Sequence, residues 1–370
     1  MELSELERDP YPLFARLREE EPVAWLAELR SWVVTARDLA LEVALNPDVF
    51  TVEDPRMSVR AVLGTNMLTT DRPEQTRHRA PFARPFRREQ VHAGFAAFVE
   101  ETAAVLVASF AGYGTAELRS ALAGPLAVRT VSHALGLEAA EPATVLQWYA
   151  AFAEGMTEAA LGREVPASAR EAFEALGASI GSVPVVAAGN DLSRTELVSN
   201  AALIMFGGIE TTESLILNAL WALLTHRDQL ALLSEQPELL DNAIEESLRF
   251  EAAVASFERF ATRDTVLGGT SIRVGEAVTV MAGAANRDPA FFRDPDRFDI
   301  TRPNARQNLG FAAGPHVCLG MHLARLEARI AVATVVDALP GLELDEERST
   351  PPRGFVFRKP ESLVARWPTA

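Results

Sequence analysis

The single cysteine of this chain, Cys318, lies in a loop that could present a metal-binding thiolate. The loop, residues 311–320, has the sequence FAAGPHVCLG, and apolar residues at helical spacing follow it. They are Leu319, Leu323, Leu326 and Ile330. This spacing predicts a helix that begins at or just after Cys318. The dipole and free N–H groups of a helix N-terminus favour the thiolate, which is the form of cysteine that binds metals. Gly314 and Gly320 allow the backbone to approach something flat or bulky.

These residues leave three interpretations of Cys318 open. A lone cysteine is most often a buried and inert side chain. A zinc site could draw on His316, Cys318 and His322, although the three crowd into one turn and no fourth ligand is evident. The thiolate could also be the axial ligand of a haem iron, and this interpretation uses the residues around the cysteine as well.

Glu210 is a second group that could do chemistry, because it is a carboxylate inside a long apolar segment. Ser193 and Glu196 form a predicted capping box, and the roughly 30 residues after it would span about 45 Å as a helix. Residues 201–206, AALIMF, are apolar on every side, so this helix should cross the interior. Residues 207–212, GGIETT, come next. Two glycines each cost about 1 kcal/mol relative to alanine, so the turn indicates either tight packing with Glu210 satisfied by a neighbour, or a functional site.

The elements that must position these groups are mostly helices. Ala, Leu, Glu and Arg recur at helical spacing over 90–110, 116–136, 141–161, 195–226, 237–250 and 319–338. Strand signals are few: residues 32–35, short runs broken by glycines within 265–282, and a last hairpin that pairs 355–357 with 363–364 around Lys359-Pro360. The sequence has no repeat and no long linker, so we expect one domain over 1–370, with a helix-rich lobe and a small β-rich lobe.

Composition excludes several classes of protein. The 370 residues carry 35 basic and 51 acidic side chains, a net charge of −16, which argues against a protein that grips nucleic acid or an anionic membrane. Lys359 is the sole lysine among the basic residues, a bias that we attribute to genomic composition. One cysteine excludes an internal disulfide and an iron–sulfur cluster held by this chain alone. Residues 1–22 have no apolar stretch of signal-peptide or anchor length, so we expect a cytoplasmic protein in a reducing compartment.

Four motifs in the expected order resemble those of the cytochrome P-450 family. Residues 311–320 match its haem-binding signature, Phe-x-x-Gly-x-His-x-Cys-x-Gly, at every fixed position. Residues 207–211 resemble the oxygen-activation motif of the family's long central helix, and residues 246–249, ESLR, resemble its Glu-x-x-Arg pair. Residues 71–79, DRPEQTRHR, look like the helix near the haem propionates. The resemblance spans nearly the whole chain and implies the family's fold: a triangular single domain, mainly α with small β-sheets, whose long central helix crosses the haem.

The resemblance implies a binding site for haem b, iron protoporphyrin IX. Cys318 would be the metal ligand, Phe311 would shield the thiolate, and backbone N–H groups after Cys318, at Gly320, would tune the sulfur. Arg79, Arg259 and His316 would neutralise the buried propionates. The chain has Gln75 and Asn308 where the family often has histidine, so we expect a less charged propionate network in which Gln75 donates one hydrogen bond.

The same resemblance assigns the distal chemistry to Glu210 and Thr211. A carboxylate and a hydroxyl beside the iron can relay, through ordered water, the protons that dioxygen activation requires. Gly207 and Gly208 would open the helix and leave space for oxygen. Gly207 and Ile209 depart from the family's usual alanine and polar residue, and we expect oxygen activation to survive. Glu246 and Arg249 share a helix face and would be structural, not catalytic.

The substrate pocket implied by the resemblance is apolar. Its predicted residues are Val62, Leu63, Phe152, Met205, Ala252, Val254, Ala255 and Phe355. We therefore expect a hydrophobic, small-to-medium organic substrate, in the manner of secondary metabolism. Gly181, Pro184 and Gly189 could belong to a compact or more mobile lid, or to ordinary turns.

Electrons must come from another protein, because the chain has no flavin or nicotinamide fingerprint. We expect a monomeric monooxygenase that uses dioxygen together with a ferredoxin and its ferredoxin reductase. Arg84, Arg87 and Arg88 could form a basic dock for an acidic partner, or be an ordinary solvated charge run. The alternatives are a haem–thiolate enzyme that uses peroxide or rearranges its substrate, and a non-catalytic haem or ligand carrier.

Overall fold

The computed structural model describes residues 3–180 and 191–369, and helices make up most of them. The predicted lid residues Gly181, Pro184 and Gly189 lie outside this range. The α-helices are α1 Leu3–Arg8, α2 Tyr11–Glu20, α3 Arg37–Leu45, α4 Ser58–Leu63, α5 Glu74–Ala83, α6 Arg88–Phe110, α7 Gly124–Leu135, α8 Pro142–Ala160, α9 Ala167–Ser179, α10 Arg194–Thr225, α11 Arg227–Glu235, α12 Leu240–Phe250, α13 Ala282–Ala285 and α14 Met321–Ala338.

The strands form small sheets beside the helices. They are β1 Val23–Leu26, β2 Ser31–Val34, β3 Phe50–Thr51, β4 Thr115–Glu117, β5 Phe257–Ala261, β6 Thr265–Leu267, β7 Thr270–Ile272, β8 Ala277–Val280, β9 Glu343–Leu344 and β10 Val364–Arg366. A five-stranded sheet has the order β1-β2-β8-β5-β3, in which only the β2–β8 pairing is parallel. A three-stranded sheet has the order β4-β10-β9, and β6 with β7 is a hairpin. The expected fold class, mainly α with small β-sheets, is therefore observed.

Helix α10 is the long central helix of the helical region. The predicted capping box is present: the Glu196 N–H donates to Ser193 Oγ, and the Ser193 N–H donates to Glu196 Oε2 at 2.8 Å. Its middle is buried, as the apolar run predicts, and it packs against α7, α14 and α12. Helix α14, which follows Cys318, packs against α6 and α10. The cysteine loop is therefore joined directly to the main core.

Two helices are long and apolar enough to meet a length criterion for crossing a membrane. They are α6 with its final turn and α10. The most apolar window of α10 is 72% buried inside the protein. Because core helices pass the same test, length and composition alone are weak evidence for a membrane span.

Two details differ from the sequence prediction. The helix expected over 116–136 begins later, because Thr115–Glu117 is a strand and Arg119–Ala123 is a π-helical turn before α7. The predicted last hairpin is wrong: residues 364–366 pair with β4 and β9, while Phe357 bridges to Val254. Alternation of apolar residues marks a strand but does not identify its partner, which here lies far away in the sequence.

Candidate functional site

The cysteine loop is held in place from several sides. Cys318 precedes α14 by three residues, as predicted, and its N–H donates to Phe311 O at 3.0 Å. Gln75, from α5, donates from Nε2 to Pro315 O at 2.8 Å. Gly314 has a positive φ of 73°, and a side chain there would collide with the Ala44 carbonyl. The glycine is therefore required by both its backbone conformation and its close contact with α3.

Gln75 makes a hydrogen bond that the sequence did not predict. Its side chain is buried and one Nε2–H donates to the cysteine loop at Pro315 O. The amide carries a second N–H, so the expected hydrogen bond to a propionate stays a prediction. Asn308 is likewise engaged within the protein, because its Nδ2 donates to Glu245 Oε2 at 3.2 Å and its Oδ1 accepts from the Gly310 N–H.

The pKa of the Cys318 thiol is raised, although a lowered value was expected at a helix N-terminus. Burial raises this pKa, and it outweighs the Gly320 backbone N–H and the positive charges of Arg79 and Arg325. The Gly320 N–H lowers the pKa, as predicted, but by less than burial raises it. A bound metal ion would add the positive charge that favours the thiolate.

Two arginines and one histidine lie beside the cysteine loop with few anionic partners, and burial lowers the pKa of the histidine, His316. Arg79 lies on α5, close enough for its charge to act on Cys318, and makes no hydrogen bond to any described residue. Arg259, on β5, has one side-chain hydrogen bond, from Nη1 to Glu258 O at 2.7 Å. Burial lowers the pKa of Arg259 to about 10. His316 Nε2 lies 3.1 Å from Asp71 Oδ1, whereas its buried Nδ1 has no partner among the described residues.

This donor set fits a haem. Unpaired cations and an orphaned ring nitrogen suit a buried group with two carboxylates, since such charges are stable inside a protein only when paired. A Cβ built at Gly207 or Gly320 meets no atom within 4 Å, so open space lies beside both glycines. Cys318 would ligate the iron, and Arg79, Arg259 and His316 would hold the propionates. When bound, haem supplies an iron that activates dioxygen.

The zinc interpretation finds no support in the described part of the chain. Residues 3–180 and 191–369 contain no group of three or more His, Cys, Asp or Glu side chains that could hold a metal ion. His322 lies at the start of α14, where burial and the charges of Arg325, Arg88 and Arg306 lower its pKa.

The two glycines of α10 have different surroundings. A Cβ at Gly208 would lie 2.9 Å from Val131 Cγ2 on α7, whereas a Cβ at Gly207 would meet nothing within 4 Å. Gly208 therefore allows two helices to pack closely, and only Gly207 borders open space. The close packing that the sequence left open as one alternative is therefore observed at Gly208, and a functional role of the turn stays a prediction.

Both carboxylate oxygens of Glu210 are engaged in the structure. Lys359 Nζ lies 2.8 Å from Glu210 Oε1, and the Tyr149 hydroxyl donates to Glu210 Oε2. Burial and the neighbouring Glu210 charge raise the pKa of Tyr149. Thr211 is also engaged, because its hydroxyl donates to Gly207 O at 2.6 Å. The acid and the alcohol are adjacent on α10, as predicted, and each has a partner within the protein.

Four of the eight predicted pocket residues meet in one apolar cluster. Val62, Leu63, Phe152 and Met205 belong to it, together with Phe206 and Phe357. Ala252 and Ala255 are buried, and Val254 bridges to Phe357. Phe355 instead packs on a separate cluster built around the N-terminal helices. Phe357 of this loop therefore packs on the cluster, and the pocket role expected for Phe355 stays a prediction.

Glu246 and Arg249 form a buried ion pair, as the resemblance implies. Arg249 Nε lies 2.7 Å from Glu246 Oε2, and both side chains are fully buried. Arg302 is a third member, 3.0 Å from the same oxygen. Arg249 also donates from Nη1 to Asn286 O, while Asn286 Oδ1 accepts the Leu309 N–H at the entrance to the cysteine loop. The pair is structural and supports the segment that leads to Cys318.

Sequence reasoning missed five residues that shape the site. They are Asp71, Tyr149, Arg302, Phe357 and Lys359. The sequence did mark Lys359, because it is the only lysine in the chain, but we attributed the scarcity of lysine to genomic composition. The others are common residue types whose partners are distant in sequence.

Comparisons with known proteins agree with this geometry. The family described as cytochrome P-450 matches residues 185–362. Cytochrome P-450 monooxygenase PikC of Streptomyces venezuelae is 37% identical over 91% of this chain and 85% of its own length. The 6-deoxyerythronolide B hydroxylase of Saccharopolyspora erythraea is 33% identical over 91% of this chain and 90% of its own length.

A solved structure has a similar fold. It is the cytochrome P-450 BioI in complex with hexadec-9Z-enoic acid ligated acyl carrier protein, with a TM-score of 0.89 and 30% identity over 99% of this chain and 100% of that chain. The structure has the cysteine loop, the neighbouring side chains of Arg79, Arg259 and His316, and the long central helix, and its relatives match over most of their length. The chain therefore belongs to the cytochrome P-450 family and is a haem-binding monooxygenase.

Proposed function

We propose that this enzyme inserts one oxygen atom of dioxygen into a hydrophobic, small-to-medium organic molecule of secondary metabolism, with electrons from a separate ferredoxin and its reductase. In this reaction a C–H bond becomes C–OH, the second oxygen atom leaves as water, and two electrons and two protons are consumed. The observation that carries the proposal is the position of Glu210 and Thr211. They lie on α10 one to two turns after Met205, which belongs to the apolar cluster.

The described pocket residues support an apolar substrate. The cluster that contains Val62, Phe152 and Met205 has aromatic and aliphatic side chains, and the Tyr149 hydroxyl and Glu210 are among its polar neighbours. A substrate bound there would be oriented by shape and by few polar contacts. The relative named 6-deoxyerythronolide B hydroxylase supports a substrate of secondary metabolism.

A ferredoxin partner is supported by unpaired positive charge near the cysteine loop. Arg84, Arg87 and Arg88 are exposed, and none of them pairs with a carboxylate among the described residues. Arg88 is close enough to α14 for its charge to act on His322. By contrast, Arg306 and Arg325 of the same face are paired with Glu245. Unpaired exposed arginines can attract an acidic partner despite the net charge of −16.

The proposal is tested by turnover of the haem-loaded enzyme with a panel of apolar compounds, a ferredoxin, its reductase and dioxygen. We expect hydroxylated product whose formation stops without ferredoxin. Glu210→Gln and Thr211→Val should lower product per electron on the order of 10²-fold, with the electrons diverted to hydrogen peroxide.

Thr225→Val is the matched control for Thr211→Val. Thr225 lies on the same helix, and its hydroxyl also donates to the carbonyl four residues earlier, Trp221 O. Product formed with hydrogen peroxide but not with ferredoxin and dioxygen would favour a peroxide-dependent enzyme. Ligand binding without product under either supply would favour a carrier.

A further inference from the structure

Glu245, on α12, is a buried carboxylate surrounded by polar and cationic side chains. Its side chain is only 3% exposed. Arg325 of α14 donates to it twice, from Nε to Oε1 at 2.7 Å and from Nη2 to Oε2 at 3.1 Å. Such a two-point pair between planar groups is strong and fixed in geometry. Asn308 donates to Glu245 Oε2 at 3.2 Å, and Arg306 Nε lies 3.3 Å from Oε1. One buried carboxylate therefore holds two arginines and an amide.

Arg325 lies against a residue that holds the cysteine. Its guanidinium carbon is 4.5 Å from the centroid of the Phe311 ring, within the range of a cation–π contact. Phe311 O in turn accepts the Cys318 N–H at 3.0 Å. Glu245 therefore reaches the cysteine loop through Arg325, although the carboxylate itself lies on another helix.

The charge of Arg325 acts on the sulfur of Cys318. Burial raises the pKa of this thiol, and the charges of Arg79 and Arg325 oppose the rise. The two arginines have different surroundings. Arg79 makes no hydrogen bond to any described residue and is expected to pair with a propionate, whereas Arg325 is already paired with Glu245. The carboxylate therefore balances the charge of one of the two arginines that act on the thiolate.

A charge at this position affects how easily the bound haem is reduced. Reduction of ferric haem adds one electron to a centre whose axial ligand is an anionic thiolate. A nearby positive charge therefore favours the reduced form, and a nearby negative charge favours the oxidised form. Groups around a metal ligand adjust the potential of the metal in this way. Removal of one member of a buried pair leaves the charge of the other unbalanced, so the two removals should change the potential in opposite directions.

We propose that Glu245 is a positioning residue that sets the reduction potential of the bound haem, because it holds Arg325 against Phe311 and balances its charge. The inference goes beyond the proposed reaction. It requires haem bound at Cys318, but it requires neither a ferredoxin nor a particular substrate.

The potential is measured by anaerobic redox titration of the haem-loaded protein. Dithionite supplies the electron through mediator dyes, and the haem absorbance bands report the ferric and ferrous forms. The absorbance of the ferrous carbon monoxide complex, compared with that of the wild type, shows whether each variant keeps its thiolate ligand.

We expect the equilibrium constant for reduction to rise at least threefold in Glu245→Gln, which is about 28 mV for one electron, because Arg325 and Arg306 then lack their carboxylate. It should fall at least threefold in Arg325→Gln. Arg325→Lys keeps the positive charge and should stay within twofold of the wild type.

Arg329 and Asp241 provide matched controls on the same two helices, one turn along from Arg325 and Glu245. Arg329 Nε lies 3.8 Å from Asp241 Oδ1, and the two side chains are 42% and 74% exposed. Arg329→Gln and Asp241→Asn change the charge by the same amounts as the test variants. Because water and salt screen exposed charges, both controls should leave the equilibrium constant within a factor of 1.5.

Two results would overturn the inference, provided that the carbon monoxide complex still shows thiolate ligation. One is a change in the same direction in Glu245→Gln and Arg325→Gln, as a purely structural role predicts. The other is a change no larger than that of the controls. If Glu245→Gln does not retain haem, equal potentials in Arg325→Gln and Arg325→Lys would likewise exclude control by the charge of Arg325. The titration uses neither substrate nor ferredoxin, so its failure is distinguishable from failure of the proposed monooxygenation.

Discussion

Ala312, within the cysteine loop, has a backbone conformation that suits glycine. Its φ is 56°, one of three positive values at non-glycine residues in the described part of the chain. In this left-handed region the Cβ of an L-residue crowds the following carbonyl, at a cost of roughly 1–2 kcal/mol. The loop therefore carries backbone strain six residues before Cys318.

We predict that Ala312→Gly stabilises the protein by about 0.5–1 kcal/mol, because the relief of strain exceeds the extra entropy of glycine in the unfolded chain. Thermal unfolding would measure the change. Ala313→Gly is the matched control: Ala313 is extended, with φ −147°, so this change should destabilise by about 0.5–1 kcal/mol. Equal effects of the two substitutions would mean that Ala312 is not strained.

Glu327, on α14, is a buried carboxyl that pairs with no cation among the described residues. Its Oε2 has no hydrogen-bond partner among them. Burial raises the pKa of Glu327 well above its usual range. The folded protein therefore keeps this proton at pH values where the unfolded chain has lost it.

A raised carboxyl pKa gives stability that is fully present below the unfolded pKa and is lost as the pH rises through the folded pKa. Glu327→Gln cannot ionise, so its melting temperature relative to the wild type should rise between about pH 5.5 and pH 8. Melting curves at the two pH values measure this, with the exposed Glu235→Gln as control. A constant difference across the range would mean that Glu327 has an ordinary pKa.

At the scale of the element, α10 combines close packing and an opening in adjacent residues. Gly208 meets Val131 of α7, and Gly207 faces open space. Val131 is β-branched, so its methyl groups cannot easily turn away from an added side chain. The same glycine-to-alanine change should therefore have opposite effects on stability at the two positions.

We predict that Gly208→Ala destabilises the protein by about 1–2 kcal/mol, since the clash outweighs the gain in helix propensity. Gly207→Ala should stabilise it by up to about 1 kcal/mol, because alanine is the better helix former and no protein atom obstructs it. Chemical unfolding of the two variants would show the difference. The reverse order would place the helix contact at Gly207.

How far the sequence predicts each element depends on the range of the interactions that define it. The capping box of α10 and the start of α14 were predicted, because residues three or four apart determine them. The partner of Glu210 was not, since Lys359 lies on a segment that reaches α10 only through tertiary folding. The packing of Phe357 was not predicted for the same reason. Alternation of apolar residues treats Phe355 and Phe357 alike, and only the packing of the loop places them on different clusters.

At the scale of the whole molecule, a net charge of −16 coexists with a local group of unpaired arginines. We predict that reduction of the haem-loaded enzyme by an acidic ferredoxin slows as salt increases, because screening weakens attraction between exposed charges. Replacing Arg84, Arg87 and Arg88 together by glutamine should slow reduction at low salt and flatten the salt dependence, with substrate affinity unchanged.

A second triple variant separates local attraction from net charge. Arg16, Arg129 and Arg273 are exposed arginines elsewhere on the molecule, and replacing them by glutamine changes the net charge by the same amount. Stopped-flow absorbance under carbon monoxide would give the reduction rates. If the two triple variants slow equally, total charge and not a docking site controls the encounter.

The cysteine loop is tied to distant parts of the chain: α5 through Gln75, α3 through the contact at Gly314, and the Glu246–Arg249 pair through Asn286. None of these contacts can be broken without disturbing the packing of the core. We therefore expect haem to dissociate only when the whole protein unfolds, and not through local opening of one loop. On heating, the haem absorbance band and the helical circular dichroism should vanish at one temperature, so that a preparation which has kept its colour has also kept its architecture.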